Sequence, residues 1–237
     1  MTLVSDPTTE VVDLAATSLR ELNSRLHALT GADGEPQRIV VANPRGRHNI
    51  AVGLDVPVEV VVDGHAGYYC AGMNKLADVR IAGNCGPGVA ENMMSGSVVV
   101  EGNASQSAGA TGRGGLLVIR SNAAGRCGIS LKGTDIVVRG SIGPMGAFLA
   151  QTGRMVVCGD AGDGLGDSIY EARLYVRGSV AGLGADCVEK EMGEQHLAEV
   201  RELLERAGVS GVDAADFRRY GSARRLYNFD IDHAGEY

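Results

Sequence analysis

The sequence predicts an all-β fold with terminal helices: a right-handed parallel β-helix of about seven to eight coils, each 19 residues long. Three observations predict it. First, a tripeptide closing each β-rich stretch recurs without one insertion: Val62-Asp63-Gly64, Ile81-Ala82-Gly83, Val100-Glu101-Gly102, Ile119-Arg120-Ser121, Val138-Arg139-Gly140, Val157-Cys158-Gly159 and Val176-Arg177-Gly178, at intervals of 19. Self-similarity at a fixed period is the signature of a repeat architecture. Second, the residues two and four before each closing position are apolar in every copy, from Val60 and Val62 to Leu174 and Val176. That period of two belongs to a strand with one buried face. Third, the residue three after the closing position is always small (Gly67, Gly86, Ser105, Ala124, Gly143, Gly162, Ala181). The residue seven after it is always Ala or Gly, from Ala71 to Ala185. Small residues at fixed offsets mark corners where backbone passes close to backbone.

A 19-residue unit is shorter than the roughly 30 residues of a βαβ crossover. It suits one coil laying two or three short strands on the coil below, about 4.8 Å away, in a rod roughly 35 Å long. A left-handed hexapeptide helix would keep a strict six-residue period, which a unit of 19 breaks.

The elements follow in order. Residues 1–36 form an N-terminal cap. Val11, Val12 and Leu14 fit a short strand, and Ser18-Leu19-Arg20-Glu21 is a capping box opening a helix. Leu19, Leu22, Leu26 and Leu29 stripe that helix, and Gly31 closes it. Residues 37–192 form the β-helix, beginning with a less regular copy at Ile39-Val40-Val41. Residues 193–237 form a C-terminal helix and a tail. Leu197, Val200, Leu204 and Ala207 stripe this second helix, closed by Gly208, with His196 on an exposed turn. A solenoid exposes its first and last coils, so the two flanks are expected to cap them. The tail from Asp216 to Phe229 concentrates Arg, Tyr and Phe, a composition suited to docking onto protein or to folding back on the rod.

Composition narrows the function. Against 29 acidic residues there are 22 Lys and Arg, a net charge of −7. That balance argues against nucleic-acid binding, which needs cations to neutralise phosphates, and against a polybasic membrane tether. No apolar run approaches the ~20 residues of a membrane span. Asp6 and Glu10 stand where a signal peptide would be basic and apolar. The expected location is the cytoplasm. The five cysteines (Cys70, Cys85, Cys127, Cys158, Cys187) contain no C-x-x-C pair and fit buried thiols in a reducing compartment.

Catalytic patterns are scarce. No phosphate-binding loop of either common type is present, and Gly162-Asp163-Gly164-Leu165-Gly166 lies inside a coil as a corner. Asp160, Asp163 and Asp167 resemble a calcium nonapeptide repeat only once, without the tandem array such sites need. One before the closing position, no carboxylate pair stacks in the manner of a glycosidase. The five histidines are scattered, and no convincing ladder of polar residues stands out at a single repeat position. The expected catalytic, cofactor-binding and metal-binding sets on this chain are therefore empty. One compact polar cluster, Asn43-Pro44-Arg45-Gly46-Arg47-His48-Asn49, sits at one end of the rod. It fits a solvated loop, a contact with an acidic partner, or a cap on the first coil.

With repeat and flanks assembled, the chain resembles the GXGXG β-helix of the glutamate synthase large subunit. It is more closely similar to the free-standing GlxC-like subunit of glutamate synthase-like and N-methylglutamate synthase complexes. The residues carrying the resemblance are Asn43 to Gly53, the coil corners, and Arg219 to Phe229. The repeat alone is also similar to the C subunit of formylmethanofuran dehydrogenase. The Asn-Pro-Arg-Gly-Arg-His segment favours the glutamate synthase side.

The resemblance implies a scaffold. Its partners would be a glutamine amidotransferase subunit that releases ammonia and a synthase subunit carrying FMN and an iron–sulfur cluster, with no cofactor on this chain. Thr2 stands where the full-length enzyme's nucleophilic cysteine would be, and no barrel-length βα pattern is present. Isolated protein is thus expected to be inactive. The expected interface residues are Arg45, Arg47, His48 and Asn49 at one end, with Arg218, Arg219, Tyr220, Arg224, Arg225, Tyr227 and Phe229 at the other. The alternative class is an independent binding or enzymatic β-helix with a site on one face.

Overall fold

A computed structural model describes residues 8–32, 34–35 and 37–224. Among these residues, eleven strands run β1 (Thr9–Asp13), β2 (Arg38–Ala42), β3 (Glu59–Val62), β4 (Asp78–Ile81), β5 (Ser97–Val100), β6 (Leu116–Ile119), β7 (Lys132–Val138), β8 (Thr152–Val157), β9 (Arg173–Val176), β10 (Cys187–Lys190) and β11 (Arg218–Ser222). Two α-helices, α1 (Leu19–His27) and α2 (Glu194–Arg206), and a 3-10 turn at Ala214–Asp216 complete the order.

Neighbouring strands from β1 to β9 pair in parallel, and from β3 onward Val60, Val79, Val98, Leu117, Ile136, Met155 and Leu174 stand in one row. This is the solenoid the repeat predicts, about seven turns 19 residues apart. The residues two and four before each closing position face inward and are buried throughout, forming one continuous core with Cys70, Cys85 and Cys127. Each coil holds one strand rather than two or three. Its second point of pairing shrinks to a single parallel bridge, running Ala66, Cys85, Ala104, Ala123, Ile142, Ala161 and Val180.

The rest of each coil is an arc of overlapping turns, and this explains the restriction to Ala or Gly. Ala71, Ala90, Gly109, Gly128, Ala147 and Gly166 all have φ between +53° and +67°. Each occupies the third place of a turn closed by a backbone bond, as in Ala110 N–H to Ser107 O (3.2 Å) and Ile129 N–H to Arg126 O (3.1 Å). Such a turn needs a left-handed third residue. That residue also points into the core, where a Cβ on Gly128 would meet Met155 Cε at 2.4 Å. Glycine is therefore required where the facing side chain is long, and alanine suffices elsewhere at a cost of about 1 kcal/mol. The arc ties coils in both directions: Gly128 N–H donates to Ala108 O of the coil before (2.8 Å), while Thr111 N–H donates to Ile129 O of the coil after (2.9 Å).

A polar ladder is present after all, one residue past the closing position. His65, Asn84, Asn103, Asn122, Ser141 and Asp160 each accept from the backbone N–H of the equivalent residue one coil on, at 2.7 to 3.1 Å. The bond from Ser179 also holds the exposed Asp160 carboxyl below the usual range. These side chains satisfy N–H groups at a corner where strand pairing has lapsed.

The two ends close differently. At the first coil, Ser18 and Glu21 form the capping box, Leu22 and Leu26 are fully buried, and Asn23 and His27 bond the arc carbonyls of Asn49 (2.7 Å) and Val52 (2.6 Å). At the last coil, the cap is not α2. There β11 enters antiparallel between β9 and β10, and Tyr220, 2% exposed, closes the core.

Helix α2 lies instead on the outer face of β6 to β9, where Val118, Val137, Val156 and Tyr175 point outward and need cover. Val200, Leu203, Leu204 and Ala207 supply it. Arg154 grips the buried Asp135 carboxylate with two bonds of 2.7 and 2.8 Å and reaches Glu202 at 2.9 Å. Arg206 adds a third bond to Asp135 at 2.8 Å. Arg120 bonds the carbonyls of Ala207 and Gly208 at the negative end of the helix. His196 is buried rather than on an exposed turn, because α2 turns that side toward the rod.

A Cβ on Gly143 would lie 2.6 Å from Gly125 N, and one on Gly162 would lie 2.7 Å from Gly143 C. Backbone cannot give way as a side chain can. Gly143→Val and Gly162→Val should each destabilise by about 3 kcal/mol or more, read as loss of soluble protein against the parent. Arg154→Met should lower stability by about 3 kcal/mol by leaving Asp135 buried with one cation fewer; a urea midpoint matching the parent would contradict this.

Candidate interaction surfaces

The cluster at residues 43–49 forms the corner of the first coil. Its backbone bends through left-handed residues at Asn43, Arg45, Gly46 and Asn49. Part of it works as a cap. Asn43 donates to Asp13 (2.8 Å), Arg47 donates to Leu14 O (2.8 Å), and Asn49 O accepts from Asn23 of α1. Bonds from Ala15 N–H and Asn43, with the charge of Arg45, hold Asp13 below the usual carboxylate range.

The remainder faces outward. Arg45 is exposed, and His48 accepts from Tyr68 N–H through Nδ1 (2.8 Å) while meeting the Tyr68 ring edge-on at 6.4 Å. Tyr68 is 47% exposed and stacks on Tyr69 at 5.5 Å. Met73 and Met94 are exposed farther along the same arcs. Tyr and Arg are the usual anchors of protein interfaces. Sequence reading missed Tyr68 and Tyr69, although adjacent tyrosines in so aromatic-poor a chain were a usable signal.

The second group of expected residues lies beyond β9, roughly seven coil spacings or 34 Å from the first. Arg218 is exposed, bonds Gly178 O (3.0 Å) and sits over the Tyr220 ring at 6.0 Å. Arg219 is half-buried and bonds Glu191 O at 2.9 Å. Tyr220 is within the core, so its ring offers no face to a partner. Arg224 is exposed and pairs with Asp186. Tyr170, Leu183 and Val188 are exposed near this end. Arg225, Tyr227 and Phe229 lie outside the described residues.

Two concavities meet at Glu59 and Asp78. One, about 440 Å³, is lined by Leu29, Val56, Pro57, Val58 and Leu76, with Glu35 at its rim. The other, about 260 Å³, lies over Arg80, Ser97 and Val99.

All five thiols are buried and free. The Cys85 contact and burial push Cys70 well up, burial raises Cys127 to about 12 and Cys187 to about 11, and Cys158 is raised as well. Such thiols are inert as nucleophiles at neutral pH. Among the described residues no three His, Cys, Asp or Glu side chains gather as a metal site. No helix among them is long and apolar enough to cross a membrane.

Burial, with the nearby Arg219, lowers the pKa of His196, and its Nδ1 accepts from Gly193 N–H at 3.0 Å. Protonation would remove that acceptor. A depressed histidine contributes stability above its unfolded value of about 6.5 and loses it as pH falls through the folded value. Between pH 7 and 5 the parent should therefore lose more stability than His196→Gln; parallel pH profiles would refute this.

No family model and no solved structure matches the chain. A match does occur among curated proteins. Over 227 residues, covering 96% of this chain and 99% of the relative, it is 62% identical to Protein GlxC of Rhizobium meliloti (strain 1021).

Proposed function

Because the chain belongs to the GlxC family, we propose that it is a non-catalytic structural subunit of a glutamine-dependent, glutamate synthase-like complex making glutamate or N-methylglutamate. In this reading it braces a glutamine amidotransferase subunit against a synthase subunit that carries FMN and an iron–sulfur cluster. The observation that supports it is where the side chains go. The interior is a continuous column of buried side chains, four of the thiols lie in it and Cys158 lies beneath α2, and the corner ladder is occupied by backbone. The exposed Arg45, His48 and Tyr68 at one end, and Arg218, Arg224 and Tyr170 at the other, supply anchors at two separated places. A rod of this kind holds two bodies at a set distance and orientation.

One observation favours the second reading, an independent binding protein: the 440 Å³ concavity beside α1, which is of small-molecule size. Its mixed charged and aliphatic lining suits a partner's side chains as well.

The test is affinity capture of the tagged full chain from its native host. Co-purification of an amidotransferase chain and a chain with flavin and iron–sulfur absorption supports the subunit reading; a colourless lone chain overturns it. Arg45→Ala/Tyr68→Ala should leave the melting curve unchanged and weaken capture of one partner at least tenfold, about 1.4 kcal/mol. Arg224→Ala/Arg225→Ala should likewise preserve the fold and weaken assembly, and an unchanged complex mass on a sizing column would count against it.

A further inference from the structure

The outer face of the sheet is one surface divided into two halves of opposite charge. A single row crosses it in register: Val11, Val40, Val61, Arg80 and Val99, then Val118, Val137, Val156 and Tyr175. The second half lies under α2. Its outward charged residues are Arg120, Arg139, Arg154, Arg173 and Arg177 with one carboxylate, Asp135, and the helix answers with Glu202 on Arg154 (2.9 Å) and Glu199 on Arg173 (3.1 Å). The first half, β1 to β5, has no helix over it among the described residues, and Val11 is 64% exposed. Its charges are reversed. Asp13, Glu59, Asp63, Asp78 and Glu101 stand outward against Arg38 and Arg80, and these two already pair with Glu59 (3.5 Å) and Glu101 (2.9 Å).

Two further observations bear on what would cover it. Val99 packs against the cluster beneath α2, so the apolar surface continues from the covered half into the open one. The sizes also agree. Five strands at about 4.8 Å span roughly 19 Å, the length of a helix of about 13 residues at 1.5 Å each, and α2 itself has 13 residues over four strands. We propose that the open half seats one amphipathic helix of a partner subunit, aliphatic on one side and flanked by Lys and Arg. The proposal rests on the chain being an assembly subunit. A second copy of this chain is a poor occupant. Its α2 would set Glu199 and Glu202 against Glu59 and Asp78, and its α1 is committed to the first coil.

The test uses the full chain in its native host with a photo-crosslinking amino acid at Val61, followed by mass-spectrometric mapping of the adduct. The expected result is an adduct to one partner chain, within a helical segment bearing several Lys or Arg, reduced at least tenfold by Glu59→Lys/Asp78→Lys. A crosslinker at Arg139, on the other half, should not label that segment. Adducts to an acidic segment, to a second copy of this chain, or unaffected by the charge reversal overturn the proposal. Assembly without any adduct at Val61 overturns it while leaving the subunit reading in place. Absence of assembly removes both.

Discussion

Everything in this molecule depends on the backbone of one coil lying against the backbone of the next. Hydrogen bonds between successive coils run along the strands, through the single bridges, and around the arc, where left-handed residues at every second place let N–H groups point alternately up and down the stack. Among the described residues, eighteen that are not glycine accept left-handed φ. Each carries a cost of about 1 kcal/mol or more. The stack offsets this with the hydrogen bonds between coils that these conformations permit, and by filling the interior with one continuous column of apolar side chains and thiols.

That constraint explains why some of the fold was legible in the sequence and some was not. The inward pair of each strand and the small residues of each corner were readable because seven coils apply the same local requirement at the same offset. The corner ladder was partly legible, since Asn84, Asn103 and Asn122 repeat one residue type at one offset, but His65, Ser141 and Asp160 look unlike them. What they share is an acceptor atom at a similar reach from the backbone, which composition does not display. The stripe of α2 was legible, but its seat was not. A stripe says that one side must be buried without saying against which surface.

The interface residues divide on similar grounds. Arg and aromatic residues close to a chain's end suit an outward contact and an inward cap equally well, and Tyr220 proves to be a cap while Arg218 and Arg224 stay exposed. At the other end, Asn49 and Arg47 hold α1 and β1 in place, and Arg45 and His48 remain beside a tyrosine pair. The same short segment thus closes the first coil and presents a surface. Neither role interferes with the other, because the cap uses the Asn43 and Arg47 side chains and the Asn49 carbonyl, while the surface uses the Arg45 and His48 side chains.

The unbroken period from β3 to β9 gives the rod the property of a ruler. Its graduations are whole coils, each adding about 4.8 Å and returning every side chain to the same bearing. Gain or loss of 19 residues would move whatever sits at the two ends nearer or farther without turning one relative to the other. A change of another length would have to be absorbed within an arc, as in the first coil, where Arg38 pairs with Glu59 and the inward residues Ile39 and Val41 still align with Val60 and Val62. The distance between the two ends is therefore adjustable in discrete steps, while their relative angle is held by the stack.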